Sequence, residues 1–280
     1  AAAVRVRRSI RLREEIPDFS SRQDEIGNLS VALREMTNSL YARIDAIESF
    51  AADVSHELKN PLTSLRSAVE TLPLAKNDDM RKRLTDVIEH DVRRLDRLIS
   101  DISDASRLDA ELVREDASII DMARLLRELT DILGQSVAAG RGALKLHVDK
   151  LPAGVKGFFV AGHDSRIGQV ITNLVQNAFS FVPEKGGRVD IRLATEPRFV
   201  VVRVEDNGPG IRAENIENIF ERFYTDRPGP DQFGKNSGLG LSISRQIVEA
   251  HGGTLTAENI PGGPDGQPAG ACFIMRLPRE

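Results

Sequence analysis

The sequence is poor in the features that mark extracellular, nucleic-acid-binding and membrane-spanning chains. A single cysteine, Cys272, excludes an internal disulfide framework and is typical of a reducing compartment. The formal net charge is only −4, so no overall basic field would recruit nucleic acid. No apolar run approaches the ~20 residues of a membrane-spanning helix, and no signal peptide is visible. We therefore expect a cytoplasmic fragment that reaches a membrane only through a missing N-terminal part.

The 280 residues, 40% hydrophobic and 29% charged, are enough for two or three globular domains. Residues 38–110 give the strongest helical signal. Apolar residues recur there at alternating steps of three and four, first over 40–58 and then over 62–72, and a returning helix repeats the pattern over 84–102. Two helices with such narrow apolar seams cannot bury both sides alone. The pattern therefore predicts a helical hairpin that dimerises into a four-helix bundle.

The chain changes character from about residue 116 onward. Helix-like stretches at 121–134, 165–182 and 241–251 alternate with strand-like runs, of which RVDIRLA, RFVVVRVED and GACFIMRLP are the clearest. This alternation predicts a mixed α/β sandwich. Cys272 falls within the last of these runs, so we expect it to be buried and chemically inert.

A histidine and a proline lie close together on the first long helix. His56 falls at an outward-facing heptad position, with Glu57 and Asn60 within one turn. Such a histidine is most often an ordinary surface residue, but neutral imidazole is also a nucleophile that a neighbouring carboxylate can orient. Pro61 costs a helix interior roughly 3 kcal/mol, and the apolar seam slips by one residue at the same place. We interpret Pro61 as a hinge beside a working site.

Four short motifs in the second half suit a nucleotide pocket. NLVQNAFSF places Asn173 and Asn177 one turn apart, where their amide oxygens can hold Mg²⁺ and phosphate. EDNGPGI puts Asp206 at a strand end, where it can accept a hydrogen bond from an exocyclic amine such as that of adenine. IFERFYTD leads into a glycine- and proline-rich segment able to cover a ligand. NSGLGLSI brings glycines to a helix N-terminus, where backbone N–H groups bind phosphate.

Each motif has an ordinary explanation when it is taken alone. Paired asparagines are often surface residues, an Asn-Gly pair often forms a simple turn, and a glycine-rich segment is often a surface loop. The glycine-rich stretch also has neither the Walker nor the Rossmann spacing. All four motifs in this order, however, predict a nucleotide site.

The motifs resemble those of the sensor histidine kinases of two-component systems. SHELKNPLTSL is similar to their H box, NLVQNAFSF to the N box, EDNGPGI to G1, FERFY to the F box and NSGLGLSI to G2. DEIGNLSVAL resembles the second half of a HAMP module, and the H box resembles the ChvG/BvrS-type envelope sensors of alphaproteobacteria. The resemblance implies a partial HAMP module with a connecting helix at 1–48, a dimerisation and phosphotransfer hairpin at 49–112, and a GHKL (Bergerat) ATP-binding domain at 113–280.

The resemblance also implies an ATP-dependent protein-histidine kinase, part of a protein anchored in the bacterial inner membrane. His56 would take the γ-phosphoryl group of ATP, Glu57 would act as general base, and Asn60 would position water for dephosphorylation of the partner. The partner would be the receiver domain of a response regulator, which takes the phosphoryl group on an aspartate. Mg²⁺ would be held by Asn177 together with Asn173.

Further residues are implied around the nucleotide. Asp206 would contact the adenine amine, Gly208 and Gly210 would shape its pocket, and Phe220 and Phe223 would anchor a lid. The full implied set is Asn173, Asn177, Phe181, Asp206, Gly208, Gly210, Ile211, Phe220, Arg222, Phe223, Gly238, Leu239, Gly240 and Leu241.

The chain departs from the family pattern at Ser180 and Thr225, where basic residues are common, and at Asn236, where many members have glycine. Two other functions therefore stay open. One is a GHKL ATPase resembling DNA gyrase B, Hsp90 or MutL, which explains the pocket but not the histidine helix. Such an ATPase would also need a carboxylate on the helix that carries Gln169 and Asn173. The other is a kinase-dead or phosphatase-biased dimer, which Ser180 and Thr225 would favour.

Overall fold

The computed structural model describes residues 17–19, 21–22, 24–114, 117–137, 142–224, 238–263 and 267–280, without the side chains of 105–114 and 136–137. The chain divides into two compact units, residues 1–59 and 60–280. Among the described helices, none is both long enough and apolar enough to cross a membrane.

The first long helix, α1, spans Glu25–Thr71. Its start is capped by Asp24, whose Oδ1 accepts a hydrogen bond from the Gly27 N–H at 3.1 Å. The helix continues through Pro61, whose side chain is buried. Pro61 has no N–H to donate to the Glu57 carbonyl, so the ladder lacks that bond next to His56. The hinge at this position stays a hypothesis.

A 3-10 turn at Leu72–Leu74 leads to the second long helix, α2, which spans Asp78–Arg114. The hairpin buries Ala68 and Leu98, which are 5% and 0% exposed. Each lies one position before a residue of the predicted apolar seam, and those seam residues, Val69 and Ile99, are 54% and 58% exposed. The predicted seam is therefore only partly covered within the hairpin. Its half-buried members are Leu65, Leu72, Leu84, Ile88 and Leu95, and its exposed members are Leu62, Val69, Val92 and Ile99.

The described residues of the second half form two sheets and three α-helices. A five-stranded sheet has the order β2-β4-β5-β7-β6, antiparallel throughout except for the parallel pair of β2 and β4. Its strands are β2 Ala143–Val148, β4 Arg188–Thr195, β5 Phe199–Asp206, β6 Thr254–Ile260 and β7 Gly270–Pro278. Two short strands, β1 Ser118–Asp121 and β3 Phe159–Gly162, pair antiparallel. The helices are α3 Met122–Val137, α4 Asp164–Phe181 and α5 Gly240–Ala250.

The core of this half forms where α4 and α5 pack on the sheet. Alternate residues of β4 point into it, among them Ile191 and Leu193, together with Ile171 and Leu174 of α4; all four are 0% exposed. Apolar burial on this scale is the main force that holds such a layer together. The predicted α/β sandwich is confirmed, as are its three predicted helices and three predicted strands.

Cys272 lies on β7 in a smaller apolar cluster with Val201 and Ile274. Burial, with the nearby carboxylates of Glu205 and Glu258, raises the pKa of the Cys272 thiol to about 12. A thiol with so high a pKa holds almost no reactive thiolate at neutral pH. The prediction of a buried, inert cysteine is therefore confirmed.

Candidate functional site

The H-box residues lie on the middle turns of α1. His56 is exposed, as its heptad position predicts, while Glu57 is half-buried and Asn60 is exposed. Among the described residues, no group forms a hydrogen bond with the His56 imidazole. His56 and Glu57 belong to the first compact unit, and Asn60 and all the proposed nucleotide residues belong to the second. An exposed imidazole beside a carboxylate suits a group that must be approached by a reactant.

Asp206, at the end of β5, is the most deeply buried carboxylate among the predicted site residues, with 6% of its surface exposed. Its Oδ1 accepts hydrogen bonds from the Gly208 N–H at 2.8 Å and the Ala271 N–H at 3.3 Å. Burial raises the pKa of Asp206, against the lowering effect of these two N–H groups. In the described part of the chain no donor contacts Oδ2. A carboxylate oxygen of a buried residue, with no donor among the described residues, fits the amine of an adenine ring.

The turn that follows Asp206 is braced by two asparagines. Asn207 Oδ1 accepts from the Arg188 N–H at 2.7 Å, and its Nδ2 donates to the Gly186 carbonyl at 2.9 Å. Asn259, on β6, accepts from the Ile211 N–H at 2.7 Å and donates to the Ile211 carbonyl at 2.6 Å. These two hydrogen bonds between Asn259 and the Ile211 backbone hold the turn in a fixed shape without a ligand. Asn207 belongs to the Asn-Gly pair of the EDNGPGI motif, which predicts a turn, whereas no sequence motif pointed to Asn259.

Glycine is required within the same turn. Gly210 has φ +76°, and a Cβ placed there would lie 2.5 Å from the Pro268 side chain. A Cβ on Gly208 would lie 2.9 Å from Asp206 Oδ1 and 3.0 Å from the Phe181 carbonyl oxygen. The end of the N-box helix and the G1 turn therefore meet at Gly208, and the close approach leaves no room for a side chain there.

The N-box asparagines share one face of α4. Asn173 Nδ2 lies 3.5 Å from Ser244 Oγ of α5, and a Cβ on Gly240 would lie 3.8 Å from the Asn173 amide. Ser180 Oγ donates to the Asn177 backbone carbonyl at 2.6 Å. Ser180, which stands where a basic residue is common in the family, thus supports the end of α4. The described residues contain no group of three histidine, cysteine or acidic side chains that could hold a metal ion. Amide oxygens such as those of Asn173 and Asn177 are ligands that Mg²⁺ can accept.

The F box and the G2 turn are joined by backbone. Phe223 N–H donates to the Gly238 carbonyl at 2.9 Å. Phe223 has φ +61°, rare for a residue other than glycine, and Gly238 has φ +74°. Two residues later Gly240 begins α5, where the first N–H groups and the helix dipole favour an anion. The glycine- and proline-rich segment of the predicted lid, and the departures at Thr225 and Asn236, lie outside the described residues.

The structure brings together residues from all four nucleotide motifs, although their burial differs. Asp206, Phe220 and Leu239 are buried, so Phe220 and Leu239 pack as core. Arg222 is exposed. The half-buried members are Asn173, Asn177, Phe181, Gly208, Gly210, Ile211, Phe223, Gly238, Gly240 and Leu241.

Gln169, one turn before Asn173, has both ends of its amide engaged. Its Nε2 donates to Asp104 Oδ2 of α2 at 3.0 Å, and its Oε1 accepts from Arg166 Nη1 at 2.9 Å. In the sequence, Gln169 shows only that this helix position lacks a carboxylate. The contact connects the α2 helix to the N-box helix.

Comparison with known proteins agrees with this architecture. Residues 46–111 match the family model of the His Kinase A (phospho-acceptor) domain. Residues 162–280 match that of the histidine kinase-, DNA gyrase B- and HSP90-like ATPase. The chain is 66% identical to sensor protein ChvG of Rhizobium meliloti (strain 1021), over 99% of this chain and 48% of that protein.

Two further relatives are more distant. The signal transduction histidine-protein kinase/phosphatase MprB of Mycobacterium ulcerans (strain Agy99) is 36% identical over 99% of this chain and 52% of that protein. The crystal structure of histidine kinase ThkA in complex with response regulator protein TrrA matches with a TM-score of 0.65, covering 88% of this chain and 66% of that chain. At 24% identity this last likeness shows the fold alone.

The chain spans about half the length of the curated relatives it matches. Over that half, both family models occur in the order in which the exposed histidine and the buried Asp206 site occur. This chain belongs to the sensor histidine kinases of two-component systems, and carries a phosphoacceptor domain followed by an ATP-binding domain.

Proposed function

We propose that the chain is the catalytic part of an ATP-dependent protein-histidine kinase that phosphorylates His56 and passes the phosphoryl group to an aspartate of a response regulator. One observation carries the proposal. The same chain presents an exposed histidine beside a carboxylate and a buried aspartate whose Oδ2 lacks a described protein donor. Neither feature alone requires a kinase, but together they supply the acceptor and the donor site of phosphoryl transfer.

The ATP-binding domain would recognise ATP at two places. Asp206 Oδ2 would accept a hydrogen bond from the adenine amine, while Gly208 and Gly210 admit the ring closely. Backbone N–H groups at Gly240 would meet the phosphates at the start of α5. The amide oxygens of Asn173 and Asn177 would hold Mg²⁺, which neutralises charge on the phosphoryl group during transfer.

At His56, a ring nitrogen would attack the γ-phosphorus as the bond to the ADP oxygen breaks. Glu57 would take the proton that the imidazole releases, and its half-buried position on the same helix turn suits that task. Asn60, exposed one turn later, would position a water molecule when the protein dephosphorylates its partner. Both activities would then use the same exposed stretch of α1.

Assembly and location belong to the same proposal. The hairpin carries a stripe of apolar side chains that are between 45% and 58% exposed, namely Leu62, Val69, Val92 and Ile99. An exposed apolar stripe of this kind supports a homodimer through the hairpin. The response regulator would dock where His56 is accessible. We infer that the whole protein is anchored in the inner membrane, with this stretch on the cytoplasmic side.

The decisive experiment incubates the full chain with γ-labelled ATP and Mg²⁺ and maps the label. Wild type should carry an acid-labile, alkali-stable phosphohistidine at residue 56. His56→Ala should bind ATP with unchanged affinity and take up no label. His90→Ala, which removes another histidine of the hairpin, is the matched control and should label normally. Persistent acid-labile labelling of the His56→Ala protein would contradict the assignment.

The same assay separates the two alternatives. An ATPase without a phosphoacceptor would hydrolyse ATP and leave the wild-type chain unlabelled. The Gln169 amide, held by Asp104 and Arg166, offers no general base for that reaction. A phosphatase-biased dimer would bind ATP without labelling and still remove phosphate from the phosphorylated regulator.

A further inference from the structure

One arginine on α5 joins parts of the ATP-binding domain that are far apart in sequence. The guanidinium carbon of Arg245 lies 3.8 Å from the centroid of the Phe220 ring. Its Nε and Nη2 both donate to the Leu255 carbonyl of β6 at 3.3 Å, and Nη2 also reaches the Glu217 carboxylate at 3.2 Å. The planar guanidinium can stack on a ring and donate in its own plane at the same time.

These contacts differ in strength. Glu217 is 75% exposed, so its ion pair with Arg245 is screened by water and contributes little. Phe220 is 5% exposed and packs edge to face on Phe273, with ring centroids 6.3 Å apart. A cation that stacks on so buried a ring is partly desolvated, which strengthens the attraction. The stack on Phe220 and the hydrogen bonds to Leu255 are therefore the contacts by which Arg245 holds the segment around Phe220 in place.

The chain from Phe220 to Phe223 leads directly to the proposed phosphate site. Three residues after Phe220, Phe223 adopts φ +61° and donates its N–H to the Gly238 carbonyl at 2.9 Å. A non-glycine residue keeps such a backbone only where its surroundings enforce it. Gly238 and Gly240 form the glycine turn that opens α5. Arg245 is thus linked to that turn in three steps: its stack on Phe220, the short stretch of chain from Phe220 to Phe223, and the hydrogen bond from Phe223 to Gly238.

We propose that Arg245 is a positioning residue for nucleotide binding. It fixes Phe220, and with it the strained Phe223, so that the Gly238–Gly240 turn holds the shape that receives the phosphates. In this proposal Arg245 acts through Phe220 and not directly on the nucleotide. The inference rests on the proposed function, because it assumes that ATP binds at this turn.

The test compares Arg245→Met and Arg245→Lys in the full chain. Calorimetric titration with ATP and Mg²⁺ gives Kd, and autophosphorylation gives KM and kcat. For Arg245→Met we expect Kd and KM to rise roughly tenfold, equivalent to about 1.4 kcal/mol. At saturating ATP, kcat should stay within about twofold, since no group at the reacting atoms is removed. Arg245→Lys keeps a cation over the ring but loses the fork on Leu255, so it should fall in between.

Two further variants exclude a merely structural effect. Arg203→Met removes an arginine that pairs with Glu258 at 3.4 Å, away from Phe220, and should leave Kd unchanged. The double variant Phe220→Leu with Arg245→Met should bind ATP no more weakly than Phe220→Leu alone, because one contact cannot be lost twice. Additive losses would show that Arg245 does not act through Phe220.

The outcomes distinguish the two proposals. If wild type binds ATP and Arg245→Met loses thermal stability with an unchanged Kd, the inference is wrong and the proposed function stands. If Arg203→Met weakens binding as much as Arg245→Met, the effect is a general one and the inference is again wrong. If wild type itself binds no ATP, the proposed function fails before Arg245 is in question.

Discussion

Gln169 donates a hydrogen bond from its side-chain amide to the Asp104 carboxylate, across 3.0 Å and 65 positions of sequence. Arg166 donates to the other end of the same amide, so the amide points its NH₂ group at Asp104. Asp104 is on α2, the helix that pairs in the hairpin, and Gln169 is on α4, the N-box helix. The bond is therefore a specific tie between the phosphoacceptor hairpin and the ATP-binding domain.

We predict that Asp104→Ala raises the rate of His56 autophosphorylation by roughly two- to tenfold. The variant loses the hydrogen bond to Gln169, which restrains the ATP-binding domain against the hairpin. A hydrogen bond to a charged group is worth about 1.5–3 kcal/mol, and only part of that energy needs to act on the rate. The affinity for ATP should not change, since Asp104 contacts none of the proposed nucleotide residues. Initial rates at saturating ATP measure the effect.

Glu89→Ala is the control for this prediction. Glu89 is on the same helix and pairs within it to Arg93 at 2.8 Å, so its removal takes away a carboxylate without touching α4. Slower autophosphorylation of Asp104→Ala would mean that the Gln169–Asp104 hydrogen bond favours phosphoryl transfer to His56. An unchanged rate would mean that this bond does not restrain the ATP-binding domain. Either result would contradict the prediction.

Asp206→Asn separates recognition of the base from support of the fold. The amide oxygen can still accept from Gly208 and Ala271, but an NH₂ group replaces Oδ2 and cannot accept from adenine. We expect ATP affinity to fall roughly ten- to a hundredfold, the loss for a hydrogen bond to a charged group. Asp190→Asn is the control, because Asp190 is equally buried but pairs with Arg188 on β4, and its nucleotide affinity should be unchanged.

The same variant has a pH signature. Because the folded pKa of Asp206 is raised by burial, the native state holds its proton to higher pH than the unfolded state does. This carboxyl's contribution to the unfolding free energy is therefore full below its ordinary pKa of about 3.9 and is lost as pH rises through the folded pKa. Because asparagine does not titrate, the unfolding free energy of Asp206→Asn should not show this loss as pH rises. Denaturant unfolding of both proteins at several acidic pH values measures it, and parallel curves would contradict the raised pKa.

Long periodic elements could be predicted from the sequence, and short or remote contacts could not. The strand RVDIRLA shows its period of two, and β4 spans Arg188–Thr195 as expected. β1 and β3 have only four residues each, too few to show any period. β2 did carry a signal, since Leu144 and Leu146 alternate with polar residues, and it was missed. Asn259 braces Ile211 from 48 positions away, and only the folded sheet brings the two together.

Gly238→Ala should be far more damaging than a typical glycine substitution. Gly238 has φ +74°, and a Cβ there would lie 2.7 Å from the Phe223 backbone. The clash falls on backbone atoms, which cannot rotate away, so Phe223 and the glycine turn must move apart. We expect ATP binding to be lost and the free energy of unfolding to fall by more than the ~1 kcal/mol that positive φ alone costs.

Gly186→Ala isolates the backbone cost for that comparison. Gly186 has φ +77°, but a Cβ there meets nothing within 4 Å. This variant should lose only about 1 kcal/mol of stability and should bind ATP normally. Similar losses of stability and binding in the two variants would show that the contact with Phe223 carries no weight.

His251 makes the stability of the ATP-binding domain sensitive to acid. Its Nδ1 donates to the Ile247 carbonyl at 2.7 Å, which leaves Nε2 to accept from the His163 N–H at 3.1 Å. Burial lowers the pKa of His251, and the neighbouring His163 lowers it further against the opposing effect of the Ile247 carbonyl. Protonation at Nε2 would replace the acceptor with a second donor that faces the His163 N–H, and so break the link between the start of α4 and the end of α5.

The sign of the pH effect follows from that lowered pKa. The unfolded state takes up a proton near the ordinary pKa of about 6.5, where the native state does not. The unfolding free energy should therefore be fully present above that value and fall as pH drops toward the folded pKa, by at most about 1.4 kcal/mol per pH unit for one proton. Circular dichroism of urea unfolding between about pH 7.5 and 5 measures this slope. His251→Gln, which cannot titrate, should have a smaller slope over this range, and an identical slope in both proteins would assign the acid sensitivity to other groups.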